Sequence, residues 1–126
     1  MFSLGELSPP GLRDVYAAAD VLIVPSIATR AFREPWGLVV NEAMNRHLAV
    51  IASDAVGAAA GGLVRDGQTG LVVPAGDRAA LSEAIARLAQ SAPLREQLGV
   101  AGGRAVESYT YEAWAEGFSQ ALASVG

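Results

Sequence analysis

Apolar residues fall along this chain in two rhythms. Three short runs are continuously apolar: Val21-Leu22-Ile23-Val24 before Pro25, Ala49-Val50-Ile51-Ala52 before Ser53-Asp54, and Leu71-Val72-Val73 before Pro74. Such runs predict strands covered on both faces, as in a parallel sheet. Elsewhere apolar residues return every three or four positions, the helical period. Ser8-Pro9-Pro10 reads as a helix start with Ser8 as its cap, followed by Leu12, Val15, Tyr16 and Ala19. A second helix is predicted from about Trp36 to Arg46, burying Leu38, Val39, Ala43 and Met44. A short helix over Ala58 to Val64 is weakened by Gly61-Gly62.

Asp77 caps a helix from about Arg78 to Gln90, with Leu81, Ile85 and Leu88 on one face. Pro93 opens another, carrying Leu94, Leu98 and Val106 but interrupted by Gly102-Gly103. The last runs from about Tyr111 to Ser124. Its apolar residues Trp114, Phe118 and Leu122 are read as core packing, with docking on a partner domain as the other reading. Met1 to Gly5 reads as the tail of a further strand. Strands separated by helices predict one α/β unit with a parallel sheet.

Composition narrows the classes. The 126 residues are 52% hydrophobic and 17% charged, a globular balance rather than a disordered one. No apolar run approaches the roughly 18 residues of a membrane span. The start Met1-Phe2-Ser3-Leu4-Gly5-Glu6 has no basic region and is not expected to be a signal peptide. With no cysteine and one histidine, neither a disulfide framework nor a zinc site is expected. A net charge of −4, with no basic stripe, argues against a nucleic-acid partner.

The chemistry concentrates in Arg33-Glu34-Pro35-Trp36-Gly37-Leu38-Val39-Val40-Asn41-Glu42-Ala43-Met44. Pro35 suits the approach to a first helical turn, whose N–H groups are unpaired in any case. Gly37 removes a side chain where those donors need open access. Free N–H groups and the positive end of the helix dipole suit a phosphate. Glu34 then stands in the loop beside it, and Glu42 lies about 6–8 Å along the helix at 1.5 Å per residue.

Pro25-Ser26, a short loop and then Glu34-Pro35-Trp36-Gly37-Leu38-Val39-Val40-Asn41-Glu42-Ala43-Met44 resemble the acidic signature of retaining GT-B glycosyltransferases. The match is to the family-4 or group 1 type, in which two glutamates are separated by seven residues. The resemblance continues through Val50-Ile51-Ala52-Ser53-Asp54, Gly57, Asp66-Gly67-Gln68-Thr69-Gly70-Leu71-Val72-Val73-Pro74 and Gly76-Asp77. It implies a Rossmann-like parallel sheet flanked by helices, as in the C-terminal, donor-binding GT-B domain. Only the later part of that domain is matched. Its first strands, its glycine-rich first turn and its diphosphate-neutralising Arg and Lys have no counterpart here. A partial domain, inactive without an N-terminal acceptor domain, is therefore expected. An exposed sheet edge would also invite self-pairing into a homodimer.

The activity implied by the resemblance moves a sugar from a nucleotide-diphosphate donor to an acceptor hydroxyl, with retention and with neither cofactor nor metal. N–H groups around Gly37, Leu38 and Val39 would receive the distal phosphate. Glu34, the implied catalytic residue, would hold donor-sugar hydroxyls beside the reacting carbon, and Glu42 would accept from the ribose. Ser26 would stand near the donor. Trp36 replaces the more frequent phenylalanine and lies among the substrate-binding positions, with packing as its other role. Arg30 and Arg33 read as solvated loop charges. A cytoplasmic protein is implied, meeting a membrane surface only through its acceptor.

Departures from the pattern are local. His47 stands where glycine is usual and Ala49 where proline is usual, and Gly62 replaces a frequent glutamate. Glycine at a helix end serves a left-handed conformation, which histidine adopts at some cost. His47 is read as a surface variation. The competing reading is a non-catalytic α/β interaction or regulatory module derived from this fold. A nucleotide-sugar 2-epimerase ranks last, because the histidine and acidic residues it needs are not evident.

Overall fold

A computed structural model of the chain describes residues 3–31 and 34–124. The elements run α1 (Pro9–Ala18), β1 (Val21–Val24), α2 (Leu38–Met44), β2 (Ala49–Ser53), α3 (Gly57–Ala60), β3 (Leu71–Val73), α4 (Arg78–Gln90), α5 (Ala92–Val106) and α6 (Tyr111–Ser124). Among the described residues the three strands form one parallel sheet in the order β1-β2-β3, Val21 pairing with Ala49 and Ile51 with Leu71. The expected α/β architecture is the observed one.

Strand β2 is the middle strand and all five of its residues are buried. Side chains alternate across a strand, so it feeds two cores. Val50 and Ala52 face a cluster with Tyr16 of α1, Val40, Ala43 and Met44 of α2, and Val106 of α5. Ala49 and Ile51 face the other, with Leu71 and Val73 of β3, Ala84 and Leu88 of α4, and Leu98 of α5. Each fully buried Ile, Leu or Val contributes about 1.5–3 kcal/mol. Strand β1 is an edge and is less covered than expected: Ile23 remains exposed, because no further strand or helix lies over it among the described residues.

Several helix limits follow their caps. Ser8 accepts from the Gly11 N–H, and Asp77 accepts from the N–H groups of Ala79 and Ala80, so α1 and α4 start where the sequence predicts. Helix α5 opens one residue before Pro93, because Ser91 caps it through the Leu94 N–H. Gly102 and Gly103 do not interrupt it. Both are buried within α5 and let it lie close to α2 and the turn after it. A Cβ on Gly103 would fall 2.3 Å from His47 Nδ1, and one on Gly99 would fall 2.0 Å from the His47 carbonyl oxygen. Helix α3 is shorter than expected and ends at Ala60. Gly62 adopts φ +81°, and the Leu63 and Gly62 N–H groups return to the carbonyls of Ala58 and Ala59, a Schellman stop.

Helix α6 has the predicted limits but not the predicted packing. None of its residues is buried, so its apolar face is not core. Trp114 and Phe118 stack on one another instead, ring centres 5.5 Å apart. The strand expected over Met1 to Gly5 is not seen at residues 3–5, where Gly5 turns at φ +64°; Met1 and Phe2 lie outside the described residues.

Candidate functional site

The motif lies at the carboxyl end of the sheet, where open α/β sheets place their ligands. Strand β1 stops at Pro25, and the Ser53 hydroxyl at the end of β2 donates to the Ser26 carbonyl, tying the two strand ends together. The chain then passes through a loop to Glu34. Arg30 is exposed there, while Phe32 and Arg33 lie outside the described residues.

Residues 34–37 are held by their backbone and by one aromatic ring. Gly37 adopts φ +85° and ψ +67° and caps α2, which is why the helix begins at Leu38 and not at Trp36. The Trp36 carbonyl accepts from the Ala58 N–H at 2.8 Å. Beside it α3 approaches so closely that a Cβ on Gly57 would fall 1.8 Å from the Pro35 carbonyl oxygen. The half-buried Trp36 ring lies against Gly61 and Tyr109, and its indole N–H donates to Asn41 Oδ1 at 2.7 Å. Much of that ring is engaged in packing.

Helix α2 buries Ala43 and Met44 as expected, but not Leu38 and Val39. Val40, Ala43 and Met44 are buried, whereas Leu38 is 72% exposed and Val39 39%. The cause is the start at Gly37: the first turn stands past the strand ends, and the chain first meets the core at Val40. Leu38 and Val39 thereby stand at an open helix start, where the Val40 N–H already returns to the Gly37 carbonyl at 2.8 Å and the N–H groups ahead of it have no carbonyl one turn earlier. At its other end α2 closes with a Schellman motif. The Leu48 and His47 N–H groups return to the carbonyls of Ala43 and Met44, and His47 takes the left-handed position at φ +55°. The conformation expected of a glycine there is therefore retained by the exposed histidine.

Of the two motif carboxylates, Glu34 stands before this opening and Glu42 one turn past Leu38 along the helix. Glu34 is half-buried, its Cγ 3.8 Å from where a Gly37 Cβ would stand. Glu42 is exposed on the same helical face as Leu38, four residues on. Its Oε2 accepts from the Tyr16 hydroxyl of α1 at 2.8 Å. Burial, and then the hydrogen bond and charge of Glu42, push the Tyr16 hydroxyl well above the usual tyrosine range. Sequence reasoning placed Tyr16 only as a helical core residue. The available signal was that a tyrosine on a buried helix face needs a partner for its hydroxyl.

Glu34, Trp36, Gly37, Leu38 and Val39 thus gather at the start of α2, Glu42 stands one turn past Leu38 on that helix, and Ser26 is anchored through its backbone at the same sheet end. Among the described residues no group of three or more His, Cys, Asp or Glu could hold a metal, and no helix is long and apolar enough to cross a membrane. A separate groove along β1, lined by Val21, Ile23, Ile51 and Ile85 beside the Asp20–Arg95 pair, contains none of these residues.

The family model described as glycosyl transferases group 1 matches residues 2–91. The phosphatidyl-myo-inositol mannosyltransferase of Mycobacterium leprae is 38% identical over 108 residues, covering 86% of this chain and 27% of that protein. The D-inositol 3-phosphate glycosyltransferase of Corynebacterium diphtheriae is 38% identical over 111 residues, covering 86% and 24%. The chain spans about a quarter of the length of these curated relatives. Among solved structures, the sucrose-phosphate synthase of Thermosynechococcus elongatus superimposes with a TM-score of 0.78 at 34% identity, over 97% of this chain and 29% of that one. HepE of Anabaena, solved in complex with UDP, shares the fold at a TM-score of 0.71 and 23% identity, over 90% and 30%.

Proposed function

The chain belongs to the glycosyl transferases group 1 family, and from that premise we propose that it forms the donor-binding part of a retaining glycosyltransferase. Its ligand is a nucleotide-diphosphate sugar, and the sugar goes to an acceptor hydroxyl held by residues outside this chain. The observation that carries the reading is the open start of α2, with Gly37 at positive φ, Leu38 and Val39 exposed, Glu34 just before it and Glu42 one turn past Leu38.

In this reading the N–H groups around Gly37, Leu38 and Val39 receive the distal phosphate and stabilise the leaving diphosphate as charge builds on it. Glu34 holds donor-sugar hydroxyls and stabilises positive charge at the reacting carbon. Glu42 accepts from the ribose hydroxyls, and Ser26 lines the donor side. Trp36 acts mainly by holding the loop that carries Glu34. No cofactor or metal takes part. Alone, the chain binds donor without turning it over, and any membrane contact comes through the acceptor.

Thermal-shift titration with UDP, GDP and ADP and their glucose or mannose conjugates tests this, with Glu42→Ala as control. The uridine series comes first, because HepE of Anabaena has been solved with UDP-glucose. Ligand at about 100 times its dissociation constant adds roughly 2.7 kcal/mol, a rise of about 10 °C for a domain of this size. The expected result is a shift with one nucleotide that is lost in Glu42→Ala. No shift with any of them, from a folded protein, would overturn the reading. The second reading, a non-catalytic interaction module, has the exposed stripe of Tyr111, Trp114, Phe118 and Leu122 in its favour. It predicts self-association, including pairing at the β1 edge, that is indifferent to nucleotide.

A further inference from the structure

We infer that Tyr16 is a positioning residue for the donor site: its hydroxyl holds Glu42 in the rotamer that accepts from a ribose diol. The inference rests on the donor-binding reading and deepens it. Glu42 alone is an exposed helix glutamate, and such a side chain samples several rotamers. Here one of its oxygens is fixed from outside its own helix. Tyr16 lies 26 residues earlier, on α1, and is buried in the core cluster that also holds Val40, Ala43 and Met44 of α2. A tyrosine ring has two side-chain torsions, and burial leaves it little freedom, so its hydroxyl is a fixed point.

The bond Tyr16 makes is to Glu42 Oε2 at 2.8 Å. An ionised carboxylate accepts through both oxygens, so Oε1 keeps its full capacity for a ligand hydroxyl. The upward shift of the Tyr16 hydroxyl keeps it protonated, and therefore a donor, across the physiological range. Neither partner needs to move when a ligand arrives.

The test is calorimetric binding of UDP, GDP and ADP, each beside its 2′,3′-dideoxy form, to the full chain. The proteins are wild type, Tyr16→Phe, Glu42→Ala and the double variant, with urea unfolding to verify that each is folded. Tyr16→Phe removes one oxygen and keeps the ring. The expected result is that it weakens the ribonucleotide about fivefold to tenfold, the range of one hydrogen bond. It leaves the dideoxy form unchanged and adds nothing once Glu42 is alanine. Equal weakening of both forms would mean a general structural role and would overturn the inference. So would wild-type affinity in Tyr16→Phe alongside a loss in Glu42→Ala. A wild type that binds none of the nucleotides, or a Glu42→Ala that binds like wild type, overturns the donor reading itself and the inference with it.

Discussion

Replacing Gly57 with alanine tests whether the loop carrying Glu34 is positioned by helix α3. The added Cβ would stand 1.8 Å from the Pro35 carbonyl oxygen, 2.6 Å from its carbon and 2.7 Å from Trp36 Cα. All three atoms are backbone, so no side-chain rotation relieves the clash. Forcing one methyl into such a contact costs about 1–3 kcal/mol. The 2.8 Å bond from the Ala58 N–H to the Trp36 carbonyl would be stretched as well, for about 1 kcal/mol more. Alanine returns a few tenths of this through helix propensity at the first position of α3. The net loss is about 2–3 kcal/mol, a large part of the roughly 5–15 kcal/mol of a typical domain.

Urea unfolding measures it. The midpoint should fall by about 1–2 M with an unchanged slope, since urea slopes run about 1–3 kcal/mol/M. Displacement of residues 34–37 should also weaken UDP binding beyond what the stability loss predicts. Gly117→Ala is the control: it lies inside α6 with nothing within 4 Å of the new Cβ, and should be neutral or gain up to about 1 kcal/mol. A Gly57→Ala protein within about 0.5 kcal/mol of wild type, with wild-type UDP affinity, would refute the account of a loop wedged against α3.

His47 and Gly103 should be coupled. The His47 ring occupies the place of a Gly103 Cβ, so Gly103→Ala should cost about 1–3 kcal/mol in the native background. In His47→Gly, where the ring is gone and the φ of +55° suits glycine, the same change should be neutral or stabilising; additive midpoints across the double-mutant cycle would contradict this. Tyr16 predicts a loss of stability at high pH. Its hydroxyl is raised above 10.0 in the folded chain, so below that pH both states are protonated and its contribution is complete. Above it the unfolded chain releases the proton first, and stability falls as pH rises toward the folded value. Between about pH 10 and about pH 11, wild type should lose up to about 1 kcal/mol more than Tyr16→Phe in urea midpoints; equal slopes would disprove the link.

Elements whose signals are local were legible in the sequence. The three apolar runs are the three strands, and Ser8 and Asp77 cap the helices they precede because a cap needs only its own next few N–H groups. The left-handed turn after α2 was likewise expected from a position where glycine is usual, and His47 adopts it. Errors arose where the outcome depended on a neighbour distant in sequence. Leu38 and Val39 share the period of buried residues yet lie exposed, because the Gly37 start carries the first turn beyond the core. Trp114, Phe118 and Leu122 have a core-like spacing, and no element of the described chain buries them.

The glycines make the same point. Gly102-Gly103 resembles a helix break when read by propensity, but α5 continues through it. Backbone and side chains of another element occupy the space a Cβ would take, and packing outweighs the roughly 1 kcal/mol that each glycine costs in a helix.

By itself the sequence determined the succession of the three strands and the helices between them, the caps Ser8 and Asp77, and a pair of glutamates separated by seven residues, one before and one within the helix after β1. All of these follow from contacts within a few residues of chain. Only the tertiary structure decided which face of α2 is buried, that α3 wedges the loop bearing Glu34, and that a tyrosine 26 residues away holds Glu42. Periodicity reports that a face is apolar or that a hydroxyl needs a partner. It carries no information about which element arrives to meet it, because that is set by how the sheet brings distant segments together.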